Sequence, residues 1–404
     1  AGAEPDPPPV RPPDPAPAAY LTAPPTRINS RTTGRISNQI PNPISSQISE
    51  ESDVLRRAFM TSGTATVTAT SLSLGAPPAV AVTLPAQRRV GEAEVHAVEA
   101  AVRQIRLLDD RHGADGLYRG AAQPLRAAYA LLDTGAATRG PTVGRLHAGA
   151  GELSISVGWL AHDSGRFDEA RSHYAEALAT ARVAGDSALE AHAFCNMAFL
   201  ARDAGTYREA VLAAQAGQRA AQQLGSPRLL SLLALREAGG WAGLGDRIGC
   251  ERALTRARAL FERGLAGADP EWMSFFGEPE VEMLEAQCRA ALGDWPSAAR
   301  HAYRATVLQD PHFARNLALY RAELAGDLAR SGSPDEASAA GHLVLDLLDD
   351  VQSSRIRTML AVAARALLAQ RRLPDVRAFL DRHDSVLRRP GVPDRLPTSA
   401  LGAT

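Results

Sequence analysis

The chain has 404 residues, 44 of them basic and 45 acidic, and a formal charge of −1, so no net field draws it to nucleic acid or to a membrane surface. Every basic residue is arginine, which excludes Schiff-base, phosphate-loop and lysine general-base chemistry. Its three cysteines, Cys195, Cys250 and Cys288, share no CxxC spacing and no companion histidine. They read as small residues buried in helix packing in a reducing cytoplasm, not as a metal or disulfide site.

Residues 1–86 are expected to form a disordered arm and linker. Ten of the first 25 residues are proline, and Ser, Thr, Asn and Gln follow in abundance, so too little apolar surface is available to offset chain entropy. The PPPV and PPDPAP runs read as a spacer, with a polyproline ligand as the alternative. Arg56 and Arg57 precede a Thr-, Ala- and Val-containing stretch with an A-x-A-like region near Ala79 and Ala81, the pattern of a twin-arginine export signal. The arginines lie more than fifty residues in and the stretch is weakly hydrophobic, so a linker is the preferred reading. Ala1 is not methionine, and an upstream segment is expected. No run approaches the ~20 apolar residues of a membrane span.

Residues 87–143 are expected to form a helical cap. Val95, Val98, Ala101, Val102, Ile105 and Leu108 fall on one helical face, a glycine-bearing turn follows Asp109 and Asp110, and a second helix is expected over Gln123–Leu132 before a loop to Pro141. From 144 to 385 a helix-pair pattern recurs six times. It reads Gly158, Gly165, Phe167, Ala170, Tyr174, Ala177, then Ala198, Gly205, Tyr207, Ala210, Ala214, Gly217. The third copy is Ala238, Gly245, Arg247, Cys250, Leu254, Ala257 and the fourth Ala286, Gly293, Trp295, Ala298, Ala302, Ala305. A fifth runs through Ala325, Gly332, Pro334, Ala337 and Gly341, and a degraded sixth through Ala364, Arg371, Leu373, Val376 and Leu380. The turn positions 165, 205, 245, 293, 332 and 371 step by 40, 40, 48, 39 and 39. Small residues let paired helices approach, the glycine ends the first helix in the left-handed conformation, and the aromatic fills the gap between pairs. Asp246 and Asp294 follow turn glycines and read as helix N-caps. Residues 386–404 are expected to be a flexible tail.

This spacing resembles that of a tetratricopeptide repeat, with a period longer than the usual ~34 residues. It predicts an all-α solenoid of helix hairpins. Three segments, LLDDRHGADGLYRGAAQPL (107–125), VGWLAHDSGRFDEARSHYAEALATARVAGD (157–186) and PEWMSFFGEPEVEMLEAQCRAALGD (270–294), further resemble the repeat regions of actinobacterial regulators that join a helix-turn-helix to such repeats. The resemblance implies transcriptional control. No pair of short helices with a basic recognition face is evident between residues 1 and 90, so DNA contact is expected only through an upstream segment or a partner.

In such an array the first helix of each pair lines the groove. Counting back from each turn selects Trp159, His162 and Asp163, then His192, Asn196, Phe199, Arg202 and Asp203, then Arg236, then Glu280, Met283 and Gln287, then Glu323 and Arg330. Trp159, His162, His192, Asn196, Phe199, Arg202, Arg236 and Gln287 form the candidate site. A carboxamide such as Asn196 can donate to and accept from a peptide backbone at once, and Arg202 and Arg236 present forked donors to a carboxylate or phosphate. Trp272, Phe275 and Phe276, where the period lengthens to 48, read as filling for an irregular turn, with a partner anchor as the alternative. The histidines at 162 and 301 converge on no nucleophile and read as structural. No enzyme, cofactor or metal site is expected. The expected protein is a cytoplasmic regulator that binds a peptide or protein partner, acting in transcriptional control of development or secondary metabolism. A homodimer is left open. The alternatives are a scaffold without a DNA role and an exported binding protein.

Overall fold

A computed structural model describes residues 91–135 and 141–387, and the expected arm, export signal and tail lie outside them. Among the described residues the chain forms fourteen α-helices and no strand. Helices α1 (Glu92–His112) and α2 (Tyr118–Gly135) come first. Six pairs follow: α3 (Pro141–Asp163) with α4 (Phe167–Ala184), α5 (Ser187–Asp203) with α6 (Tyr207–Ala221), and α7 (Pro227–Gly243) with α8 (Arg247–Phe261). The last three are α9 (Glu278–Ala291) with α10 (Trp295–Leu308), α11 (Ala314–Ser331) with α12 (Pro334–Leu347), and α13 (Ser354–Leu367) with α14 (Pro374–Leu387). This is a tetratricopeptide-like helix-hairpin solenoid.

The pairs form for local reasons. The turn glycines Gly165, Gly205, Gly245, Gly293 and Gly332 all hold φ between 74° and 88°, and Asp246 and Asp294 cap the helices behind two of them by accepting from Gly249 N (2.9 Å) and Ser297 N (3.3 Å). Gly158 leaves room for the fully buried Tyr174 ring: a Cβ at 158 would stand 2.6 Å from Tyr174 Cε1. Tyr207 of α6 lies against Gly243 of α7, filling the space between successive pairs. The apolar core is divided among several clusters strung along the array, as expected when each pair buries its face against its neighbours.

Two local expectations differ from the structure. Helix α2 starts at Tyr118 and keeps Pro124 inside it, so the backbone bond that residue 124 would have donated to Gly120 is missing and the helix continues regardless. The sixth pair is loose: α14 packs chiefly on α12, where Phe379 fits against Gly341, and its motif is correspondingly degraded.

The array also closes on itself. Helix α1 lies along α3 and touches α11 from its inner side. The turn after α1 pairs with the segment before α13: Gln352 N donates to His112 O (2.7 Å) and Asp115 N donates to Gln352 O (3.2 Å). Ser354 Oγ donates to Asp115 Oδ2 at 2.9 Å. Gly113 sits in this seam with φ 77°, and a Cβ there would fall 2.5 Å from Gln352 O. Buried Arg315 of α11 forms an ion pair with buried Asp163 of α3, 152 residues apart in sequence. The concave groove expected from the repeats is thereby confined to an interior bounded by both ends of the array.

Candidate ligand-binding cavity

The first helix of every pair presents side chains to this interior, joined by α1 and by the short turn Glu271–Phe275. Together they bound a cavity of about 150 Å³. Six of the eight candidate residues line it: Trp159, His192, Asn196, Phe199, Arg236 and Gln287. Glu280 and Met283 line it too. His162 and Arg202 stand behind the wall, and Glu323 is likewise not part of it. Arg330 is exposed, with its guanidinium over the Trp295 ring at 5.0 Å, and is not part of the wall.

The wall is aromatic where α3 and α5 meet. Trp159 and Phe199 stack with centroids 5.6 Å apart, and the buried His162 ring meets Phe199 edge-on at 5.1 Å. Trp159 Nε1 donates to Asp109 Oδ2 of α1 at 2.8 Å, and the Arg315 guanidinium lies 4.9 Å over its ring. Three more guanidiniums surround Phe199, with Arg236, Arg202 and Arg355 at 3.9, 4.6 and 4.7 Å from its centroid. Trp272, Phe275 and Phe276 all pack into the core shared with α7, α8 and α9, as expected of filling, and Phe276 is buried in it. Trp272 stacks on His192 at 3.7 Å and, with Phe275, faces the cavity. The extra residues between the third and fourth pairs carry the Trp272 ring back to α5.

Behind this wall the charges are paired. Asp203 accepts from Arg202 Nη2 (2.6 Å) and Nε (3.0 Å), from His162 Nε2 (3.0 Å), and pairs with Arg355 (3.3 Å). Burial opposes its ionisation, but Arg202 and Arg355 prevail and hold the carboxyl well below its ordinary value. Burial pushes His162 down, which favours the neutral ring. Its Nε2 therefore carries the proton given to Asp203, and Nδ1 has no partner. Nearer the start of α5, His192 Nδ1 donates to Glu152 of α3 at 3.0 Å, and Arg106 pairs with the same carboxylate. Burial would raise Glu152, yet His192 and Arg106 outweigh it and hold the carboxyl at about 2. Asp109 goes the other way: burial lifts it to about 7 against the pull of Arg315.

Polar capacity remains inside. Asn196 Nδ2 donates to His192 O at 3.2 Å, and its carboxamide oxygen takes no donor among the described residues. Gln287 Oε1 accepts from Arg202 and Asn316 Oδ1 from Arg315 (3.0 Å), and neither amide nitrogen has an acceptor among the described residues. Asn316, Arg315, Tyr320, Arg355 and the α1 residues Ile105, Arg106 and Asp109 were outside the expected site, and the structure adds them to the wall. All three cysteines are buried, Cys195 at the cavity and Cys250 and Cys288 in the core shared by α7, α8 and α9. Among the described residues no cluster is arranged to hold a metal ion, and no helix is long and apolar enough to cross a membrane.

No protein-family model matches the chain, and no curated protein matches its sequence. Among solved structures it is similar to a Rap protein complexed with competence and sporulation factor, with 11% identity, 85% of this chain and 97% of that one covered, and a TM-score of 0.45. It is similar to a tetratricopeptide repeat protein from Parabacteroides merdae, with 12% identity, 74% and 94% covered, and a TM-score of 0.39. A third likeness is to the P58(IPK) TPR domain, with 15% identity, 73% and 93% covered, and a TM-score of 0.19.

Proposed function

We propose that the chain is a regulatory protein that binds a short peptide in the interior of its closed repeat array. One observation carries the reading: the carboxamides of Asn196, Gln287 and Asn316 face a single aromatic-walled cavity with an acceptor and two donors unspent. A peptide backbone offers the complementary donor and acceptor, and the Trp159, Phe199 and Trp272 rings suit an apolar side chain. At about 150 Å³ the cavity takes one residue of a peptide rather than a folded partner, so the rest of the ligand would leave through its mouth. The ion pairs at the wall are in no geometry for turnover: no nucleophile there is joined to a base.

The test is affinity selection of synthetic hexapeptide pools on the immobilised chain, with the Asn196→Ala, Asn316→Ala double variant as comparison. Peptides enriched on the unchanged protein should be lost on the variant, with its helicity retained. Enrichment that is the same on both would refute the site. The output we propose is transcriptional control, through a DNA-binding segment or partner, as in the regulators whose repeat regions the sequence resembles. Crosslinked chromatin carrying no enrichment for the protein at any promoter would instead favour the scaffold alternative.

A further inference from the structure

The arginines around the cavity differ in one respect. Arg106 is paired with Glu152, Arg202 and Arg355 share Asp203, and Arg315 holds Asp163. Arg236, on α7, forms no ion pair among the described residues, although it is only 7% exposed. Its Nε and Nη1 are buried with no hydrogen-bond acceptor, and its guanidinium lies against the Phe199 ring face on the cavity wall. Glu280, another acid of the cavity wall, accepts from Tyr320 Oη at 2.5 Å and makes no ion pair with Arg236. A guanidinium withdrawn from water gives up hydration that a ring face restores only in part, and two nitrogens with three N–H groups stay unspent.

We propose that Arg236 is the recognition group for a carboxylate on the ligand. This rests on the cavity being the binding site and adds which ligands it accepts. The acid would sit against the Arg236 guanidinium, whose charge no carboxylate offsets, whereas Arg106, Arg315 and Arg355 are each held by an acid of their own. The space beside it accommodates about one six-membered ring, with Trp272, Phe275 and Trp159 as walls. Two sources carry that chemistry: the C-terminal residue of a peptide with a free carboxylate, and a small arylalkyl carboxylic acid.

The experiment divides the hexapeptide pool into free-acid and C-terminally amidated halves. It adds phenylacetate and 2-phenylacetamide, each read as a shift in Tm of the full chain. The free-acid half should be retained on the unchanged protein and the amidated half not, and Arg236→Gln should reduce retention at least about tenfold. Retention of the acid peptides without a phenylacetate shift identifies a peptide terminus. A phenylacetate shift absent with the amide, and without peptide retention, identifies a small acid. Either result supports carboxylate recognition. Equal retention of amidated and free-acid peptides would overturn it while leaving the cavity as a peptide site. No retention and no shift in any arm would overturn both. Should Arg236→Gln fail to fold, the acid-against-amide comparison on the unchanged protein decides the matter alone.

Discussion

Replacing Phe199 with leucine should cost far more than loss of a ring usually does. Leucine keeps an apolar side chain of similar reach but offers no face to the guanidiniums of Arg236, Arg202 and Arg355 at 3.9, 4.6 and 4.7 Å. Each such contact is worth roughly 0.5–2 kcal/mol, toward the upper end when desolvated. Packing against Trp159 and His162 adds about 0.5–1.5 kcal/mol. One ring has two faces and three cations compete for them, so the contributions cannot add in full, and about 3 kcal/mol is the expected loss. Phe379→Leu is the control. Phe379 is buried too, its ring neighbours are histidines and no guanidinium among the described residues lies over it, so its loss should stay near 1 kcal/mol. Urea unfolding followed by far-ultraviolet circular dichroism reads both as shifts in midpoint at constant slope. Equal midpoints for the two variants would refute the guanidinium grip on Phe199.

Two further outcomes test the closure of the array. Gly113→Ala combines a left-handed φ of 77° with a Cβ 2.5 Å from Gln352 O, so it should cost about 2–4 kcal/mol and loosen the seam between α1 and α13. Faster amide exchange at Asp115 and Gln352 is the readout, and unchanged protection there would count against a seam held by these bonds. Asp109 has a folded-state value of about 7, above its unfolded value of about 3.9. The stabilisation linked to its protonation is therefore full below about pH 3.9 and lost as pH rises through about 7. Asp109→Asn keeps an acceptor for Trp159 and mimics the protonated group. Its Tm should exceed that of the unchanged protein at pH 8, by the equivalent of at most about 4 kcal/mol, and the difference should shrink as pH falls and vanish only below about pH 3.9. A difference independent of pH would show that burial of this carboxyl is not what matters.

The repeat pairs were legible because their determinants are local: a glycine that ends one helix, small residues facing one another and an aromatic between pairs all fall within about one repeat. The inner positions could be counted from those glycines for the same reason, which is how Trp159, Asn196, Phe199 and Arg236 were reached. Closure has no such signature. Asp109, Asp115, Arg315 and Ser354 are ordinary polar residues in sequence, and they become partners only because the per-pair rotation of the array brings its two ends together. That rotation is a sum over helix contacts, so a small difference at each would leave an open trough in which Arg315 and Asp163 never meet. The one irregularity that was visible, the step of 48 before the fourth turn, pointed to the right place but not to its consequence. The added turn returns Trp272 to His192, 80 positions earlier, so the break in the repeat builds part of the cavity wall. Arg236 needed both scales. Its inward position follows from local counting, but its lack of a partner emerges only when α1, α11 and α13 have closed the ring and every other arginine at the cavity has found its acid.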